Sequence, residues 1–155
     1  MYVISKDQVT QPFLAPLGEQ IYELIGSQAA VGGATLHSFA HVLVPPGKLS
    51  PQHYHRISEE SYYILKGRAH MVVDANEFIL EPGQACLIKT GEVHQVFNRA
   101  AEDLEFLVVC APPWTPDDSF AVDDVPQQPD VTQSPADVRI GSGPVVTNVD
   151  GPFSE

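Results

Sequence analysis

Residues 47–67 have the sequence GKLSPQHYHRISEESYYILKG, and this stretch decides the expected fold. Its second half, Ser61 to Leu65, is rich in aromatic and branched side chains and ends near a glycine, which is typical of a β-strand. In its first half, two histidines flank Tyr54. Side chains at positions i and i+2 of a strand point to the same face, so His53 and His55 are expected to aim one way while Tyr54 aims the other.

The histidine pair has further metal-binding groups near it in the chain. Glu59 and Glu60 follow it closely, and His94 lies 39 residues after His55 in another strand-like run. Three neutral imidazoles and a carboxylate suit Fe, Mn, Ni, Zn or Cu, and they leave coordination positions open on a six-coordinate ion. A bare His-x-His pair also occurs as two polar residues on a half-exposed strand, so the pair alone leaves both interpretations open.

Short strand-like runs separated by turn residues continue on both sides of this stretch. Apolar alternation is visible over residues 34–44, and Pro82-Gly83 has the composition of a type II turn. We find neither a long amphipathic helix nor an internal repeat. Roughly 8–12-residue spacing of the runs predicts an all-β sandwich or barrel. The later runs are residues 71–73, 77–80, 86–88, 93–97 and 104–109.

Two segments resemble the two characteristic motifs of the cupin superfamily. Residues 47–67 follow G(x)5HxH(x)4E(x)6G, and residues 83–98 follow G(x)5PxG(x)2H(x)3N, except that Lys89 stands where the motif has proline. The 15 residues between them, 68–82, form a spacer close to the compact end for the family. The resemblance covers residues 34–110 and is greatest to small single-domain cupins of the mannose-6-phosphate-isomerase-like grouping.

This resemblance implies an antiparallel jelly-roll (double-stranded β-helix) barrel that holds one divalent transition metal ion. The positions that match the family's ligands are His53, His55, Glu60 and His94. Glu60 is preferred to Glu59 because six residues separate it from Gly67, as the motif requires, and Glu59 would then point to solvent. Tyr62 shares strand parity with Glu60. It is either a catalytic group that meets a substrate or a buried aromatic residue whose hydroxyl is bonded elsewhere.

The composition restricts the possible partners and location. The 155-residue chain has a formal net charge of −12, and nucleic-acid binding needs a basic surface, so a nucleic-acid partner is disfavoured. No apolar run approaches the ~18 residues that span a bilayer, and no classical secretion signal is visible, so we expect a cytoplasmic protein without a membrane partner. Cys86 and Cys110 form no framework of paired spacings and are expected to be small core hydrophobes.

Charge and proline content distinguish the C-terminal third of a single-domain chain. Residues 1–100 have nine acidic and seven basic residues, residues 101–155 have eleven and one, and residues 111–155 hold eight of the 14 prolines. We expect an N-terminal arm with the first strands at 1–33, the barrel core at 34–112 and an extended Pro-rich acidic arm at 113–155. Trp114 and Phe120 are expected to pin the arm to the barrel, with a floppy acidic tail from Val131 onward.

The resemblance leaves several classes of function open. The first is a metalloenzyme that acts on a sugar, sugar phosphate or carboxylic acid by Lewis-acid isomerisation or elimination, or by oxygen chemistry. The second is a non-enzymatic module that binds a small-molecule ligand in the barrel. A structural barrel is disfavoured, because polar groups that point inward are costly without a partner. Family members usually dimerise through a sheet face or an exchanged N-terminal strand, so we expect a homodimer, with Gln20 to Ile25 as the candidate strand.

Overall fold

The computed structural model describes residues 1–122, which form two β-sheets and contain three short 3₁₀-helices but no α-helix. No helix in this described range is long and apolar enough to cross a membrane. The 3₁₀-helices are Lys6–Gln8, Ala29–Val31 and Pro116–Asp118. The strands are β1 (Phe13–Leu14), β2 (Gln20–Ile25), β3 (Ser38–Val44), β4 (His53–Tyr54), β5 (Glu59–Lys66), β6 (Ala69–Val73), β7 (Asn76–Leu80), β8 (Ala85–Ile88), β9 (His94–Phe97), β10 (Leu104–Ala111) and β11 (Phe120–Ala121).

The strand order is that of a rolled antiparallel barrel rather than a simple meander. One sheet has the order β1-β2-β3-β10-β5-β8, and the other has the order β11-β4-β9-β6-β7. All the pairings between these strands are antiparallel. Neighbours such as β3 and β10 are distant in sequence, which is typical of a jelly roll. The predicted all-β jelly-roll architecture is confirmed, and a strand lies at every run that the sequence singled out.

Side chains that alternate along the strands form a single core between the two sheets. Every second residue of β3 and β10 is buried, as the two-residue period of a strand requires. The core includes Ile64 and Phe106 from one sheet and Met71 from the other, each at most 1% exposed. Tyr62 and Cys110 belong to the same cluster, so apolar packing extends up to the buried Glu60 of β5, which lies opposite Cys110 in the sheet.

Glycine turns follow β5, the strand that carries one of the predicted ligands, and precede β8, its neighbour in the sheet. Gly83 has φ of +88°, and the amide of Gln84 donates a hydrogen bond to the carbonyl of Glu81 at 3.0 Å, which confirms the type II turn at Pro82-Gly83. Gly67 ends β5 with φ of +79°, and a Cβ there would lie 2.9 Å from the backbone oxygen of Asp103. Any other residue at position 67 would therefore be strained.

The first ten residues of the predicted arm pack on the barrel. We call residues 112–122 the C-terminal strap, and its strand β11 pairs with β4. As predicted, Trp114 packs against the core and Phe120 stacks on Tyr54, with ring centroids 5.4 Å apart. The rest of the predicted arm, including the tail from Val131, lies outside the described residues, so the division at 1–33, 34–112 and 113–155 stays a prediction.

Candidate metal centre

The four predicted ligands meet inside the barrel. His53 of β4 lies directly opposite His94 of β9, His55 follows the end of β4, and Glu60 lies in β5 of the other sheet. Their candidate ligand atoms all lie within 4.8 Å of one another. His55, Glu60 and His94 are buried and His53 is half-buried. The cluster therefore joins the two sheets.

A backbone carbonyl contacts the Nδ1 atom of every imidazole in the cluster. The pairs are His53 with Pro51 at 2.9 Å, His55 with Asp118 at 2.7 Å and His94 with Glu92 at 3.0 Å. A carbonyl oxygen only accepts hydrogen bonds, so each Nδ1 carries the proton and each neutral ring keeps a lone pair on Nε2. Metal-binding histidines are commonly oriented by this arrangement, in which the other ring nitrogen donates to a carbonyl or carboxylate.

Glu60 faces two of these Nε2 atoms. Its Oε2 lies 3.1 Å from Nε2 of His94, and its Oε1 lies 3.4 Å from Nε2 of His55. The second contact is not directed as a hydrogen bond, so His55 Nε2 is a buried nitrogen without a hydrogen-bond partner among residues 1–122. Lone pairs that face a buried carboxylate repel it unless a cation, either a proton or a metal ion, lies between them.

The geometry of the cluster fits a divalent transition metal ion. Metal–nitrogen and metal–oxygen bonds of roughly 2.0–2.2 Å place the ligand atoms of one ion about 3–4 Å apart. The two Glu60–histidine contacts, at 3.1 and 3.4 Å, lie in this range. Three imidazoles and one carboxylate are a donor set for first-row ions, and they leave positions on the ion open for a ligand.

Burial and mutual charge determine the protonation of the cluster. The pKa of His53 is lowered to about 4, first because burial disfavours the charged ring and second because His94 lies beside it. Burial alone would lower the pKa of His55, but the Glu60 carboxylate outweighs it and raises that pKa. Burial alone would raise the pKa of Glu60, but its close contacts with the His55 and His94 rings hold that pKa well below its usual range. Near neutral pH, Glu60 is charged and His53 is neutral, the forms that bind a metal.

Strand parity places Glu60 and Tyr62 inside the barrel, as predicted. Glu60 is only 5% exposed, whereas Glu59 is exposed at the surface. The Tyr62 ring packs on Phe106 with a centroid distance of 4.8 Å and lies edge-on to His94 at 6.3 Å. Burial, with a contribution from the charge of Glu60, raises the pKa of Tyr62 well above its usual range. Its phenol is therefore a protonated hydrogen-bond donor near the cluster.

The second motif departs from the family pattern at Lys89, and the structure shows what replaces the proline. The Lys89 amide donates a hydrogen bond to Oε2 of Glu92 at 2.7 Å, which closes the turn before β9. Proline has no amide hydrogen and could not make this bond. Asn98, at the end of the motif, donates from Nδ2 to the carbonyls of Val44 and Glu102, so it ties the end of β3 to the turn before β10 rather than contacting the cluster.

Three further residues, which the sequence does not mark as part of the site, interact with the cluster. Cys110 lies opposite Glu60 in the sheet, and its Sγ donates a hydrogen bond to Oε1 of Glu60 at 3.0 Å. Asp118 lies in the C-terminal strap and accepts the Nδ1 proton of His55 on its carbonyl. Glu19 is 6% exposed, and burial together with the charge of Glu60 raises its pKa to about 8. The sequence predicts Cys110 in the core, where it lies, but does not predict its contact with Glu60, and no sequence pattern marks Asp118 or Glu19.

Comparison with known proteins identifies a family whose model covers the segment that contains the four residues of the cluster. The family model for the cupin domain matches residues 40–110. An oxalate-binding protein of Thermotoga maritima is 32% identical over 90 residues, covering 58% of this chain and 73% of that protein. An uncharacterized protein of Methanocaldococcus jannaschii is 31% identical over 109 residues, covering 70% of this chain and 86% of that protein.

Solved structures give the same result for the fold. The crystal structure of a predicted oxalate decarboxylase from Thermotoga maritima aligns with a TM-score of 0.61 and 26% identity, covering 72% of this chain and 99% of that chain. The strand order, the two spaced motifs and these matches lead to one conclusion. The chain belongs to the cupin family.

Proposed function

We propose that this chain holds one divalent transition metal ion at His53, His55, Glu60 and His94 and acts as a metalloenzyme on a small carboxylic acid. One observation carries the proposal: the buried Nε2 of His55 faces a carboxylate without a hydrogen bond, while its Nδ1 is committed to a carbonyl. A buried arrangement of this kind is costly without a cation. In the other two histidines, Nδ1 also donates a hydrogen bond to a backbone carbonyl, so all three Nε2 atoms are available as ligands. This shared arrangement supports a metal site rather than a chance cluster.

The proposed chemistry combines the ion with one phenol of the chain. When bound, a divalent ion supplies Lewis-acid stabilisation of an anion that develops on a coordinated substrate. Tyr62 lies beside His94 with its phenol protonated, so it can donate a hydrogen bond or a proton to a substrate oxygen. Isomerisation, elimination and, with redox-active iron, oxygen chemistry all remain within the proposal.

Among the predicted substrate classes, the interior favours a carboxylic acid over a sugar phosphate. Within residues 1–122, no lysine or arginine belongs to the buried set, so the protein itself offers no buried cation to a phosphate group. A small carboxylic acid could be bound by the metal ion and the Tyr62 phenol alone. The name of the Thermotoga relative, an oxalate-binding protein, supports the same class. The sugar-isomerase-like grouping suggested by the sequence stays a prediction.

Metal loading followed by ligand titration tests the function. Chelator-stripped protein is reloaded separately with Fe, Mn, Ni, Zn and Cu, and metal per chain is measured by mass spectrometry. We expect about one ion per chain. Oxalate is expected to bind only the loaded protein in calorimetry, whereas oxamide, its uncharged analogue, is expected to bind far more weakly because it lacks the charge that a metal attracts.

The same experiment separates the enzyme from the non-enzymatic alternative. Loaded protein is incubated with oxalate and other small acids, and products are followed by mass spectrometry. Consumption of an acid supports the enzyme, whereas metal-dependent binding without any product indicates a ligand-binding module. Protein that takes up none of the five metals at micromolar concentration contradicts the proposed site.

We further propose that the chain forms a homodimer through the outer face of the six-stranded sheet. This face carries apolar side chains on four neighbouring strands, β3, β10, β5 and β8. Three of these side chains are 42–54% exposed: Tyr63, Leu65 and Leu87. Such a largely apolar face on a regular sheet suits a second copy of itself in a two-fold arrangement. Its apolar residues are Phe39, Leu43, Tyr63, Leu65, Leu87, Leu107 and Val109. The ion-paired His41 and Glu105 lie among them.

Sedimentation of a charge variant tests this dimer. Wild-type protein is expected to sediment as a dimer at micromolar concentration, and Leu87→Lys is expected to shift it to the monomer because a lysine would be buried against an apolar face. Leu36→Lys, at an exposed position outside the sheet, is the matched control and is expected to remain dimeric. A monomeric wild-type protein contradicts the proposal.

A further inference from the structure

We propose that Asp118 is a positioning residue of the metal centre and that the C-terminal strap controls metal affinity through it. This inference rests on the proposed function, since it concerns the same four ligands. Asp118 lies outside residues 40–110, the segment that matches the cupin family model. It is nevertheless buried, with 4% of its surface exposed, and it contacts both His55 and the residues that follow His55 in the chain.

The Asp118 carboxylate holds the link between two ligands. Its Oδ1 accepts hydrogen bonds from the amides of Arg56 and Ile57, and its Oδ2 accepts one from the amide of Ser58, each at 2.9 Å. These three residues belong to the four-residue link between His55 and Glu60. Hydrogen bonds to a charged acceptor are stronger than neutral ones, and three of them on one carboxylate fix the conformation of the link. The distance between the two ligands is therefore set in part by Asp118.

The backbone of the same residue orients one of those ligands directly. The Asp118 carbonyl oxygen accepts the Nδ1 proton of His55 at 2.7 Å, the shortest of the three histidine–carbonyl contacts. This bond fixes the ring orientation and the tautomer, so Nε2 is left as the metal-binding atom. The side chain and the carbonyl of one residue thus act on the ligand and on the link that follows it.

The strap is itself anchored around Asp118. The hydroxyl of Ser58 donates a hydrogen bond to the carbonyl of Pro112 at 3.0 Å, on the N-terminal side of Asp118. On its C-terminal side, the guanidinium of Arg56 lies 3.9 Å from the ring centroid of Phe120. Because the anchors lie on both sides, Asp118 holds the link as part of a fixed segment.

The test compares Asp118→Asn with Asp117→Asn. Asp117 is the exposed neighbour in the same 3₁₀-helix, so its variant has the same change in charge without the contacts. In Asp118→Asn, a side-chain NH₂ group would replace one carboxylate oxygen and face a backbone N–H. Both groups are donors, so a hydrogen bond would be lost. We expect metal affinity, measured by competition with a chelating dye, to fall about 10–100-fold in Asp118→Asn and to be unchanged in Asp117→Asn.

A second measurement reports on positioning without metal. Nitrogen-15 NMR of the histidine side chains in metal-free protein is expected to show the Nδ1–H tautomer for His55 in the wild type and a mixed tautomer in Asp118→Asn. Wild-type affinity and tautomer in a folded Asp118→Asn would overturn the inference. If Asp118→Asn does not fold, Asp118→Glu takes its place: its extra methylene displaces the carboxylate or the carbonyl, and unchanged affinity there also overturns the inference. A wild type that binds no metal defeats the proposed function instead, and the tautomer still tests Asp118.

Discussion

Replacing His94 with alanine is expected to abolish stoichiometric metal binding. His94 is 1% exposed, its Nε2 lies 3.1 Å from Glu60, and its ring centroid lies 4.3 Å from that of His53. The change removes one of four donor atoms from the centre of the cluster. The loss of affinity is expected to exceed the roughly 10–100-fold that removal of an outer-shell partner costs. Metal per chain after gel filtration, together with dye competition, measures it.

His37→Ala is the matched control for this prediction, because His37 is exposed and lies outside the cluster. Alanine at a buried position leaves a cavity, so folding of the His94→Ala variant is checked by circular dichroism and a thermal melt. His53→Ala, at a half-buried ligand, provides a second test with a smaller cavity. A folded His94→Ala protein with wild-type metal content would show that the ligand assignment is wrong.

Replacing Glu19 with glutamine is expected to stabilise the metal-free protein increasingly as pH rises. Burial and the charge of Glu60 raise the pKa of Glu19 from 4.5 to about 8. The folded protein therefore keeps a proton that the unfolded chain loses between pH 4.5 and 8. The stability that this proton contributes is complete below pH 4.5 and is lost as pH rises towards 8. Glutamine carries no titrating proton, so the variant lacks this loss.

Urea unfolding at several pH values measures the effect. The two proteins are expected to have similar free energies of unfolding near pH 4.5. Between pH 4.5 and 8, the difference in favour of Glu19→Gln is expected to grow by at most about 1.4 kcal/mol per pH unit. Glu59→Gln, at an exposed glutamate next to Glu60, is the control and is expected to parallel the wild type. Parallel pH curves for Glu19→Gln and the wild type would contradict the prediction.

The jelly roll and the four converging side chains were predictable because residues 47–67 and 83–98 resemble the two cupin motifs, and the resemblance implies both. The residues alone predicted an all-β sandwich or barrel and a shared face for His53 and His55. Glu60 was distinguishable from Glu59 because it lies within a regular strand, where every second residue is buried and parity is reliable. The turn at Pro82-Gly83 was predictable because its backbone conformation depends mainly on these two adjacent residues.

The remaining parts of the site depend on contacts between distant segments. Asp118 acts on His55 across 63 positions of sequence, and it does so through its backbone carbonyl, which every residue possesses. The contact of Cys110 with Glu60 depends on the register between β10 and β5, and register follows from the whole sheet rather than from one strand. The motif shows Lys89 only as a departure from proline, because the hydrogen bond that its backbone amide makes does not depend on its side chain.

The position of the cluster across both sheets has a consequence for the lifetime of the protein. An ion held by His53 and His94 on one side and Glu60 on the other would cross-link the two layers, and unfolding would have to release it. A free metal concentration 100 times the dissociation constant adds about 2.7 kcal/mol to the free energy of unfolding. Metal supply would then govern how often the chain opens to proteases, so starvation for the ion would shorten its survival as well as remove its chemistry.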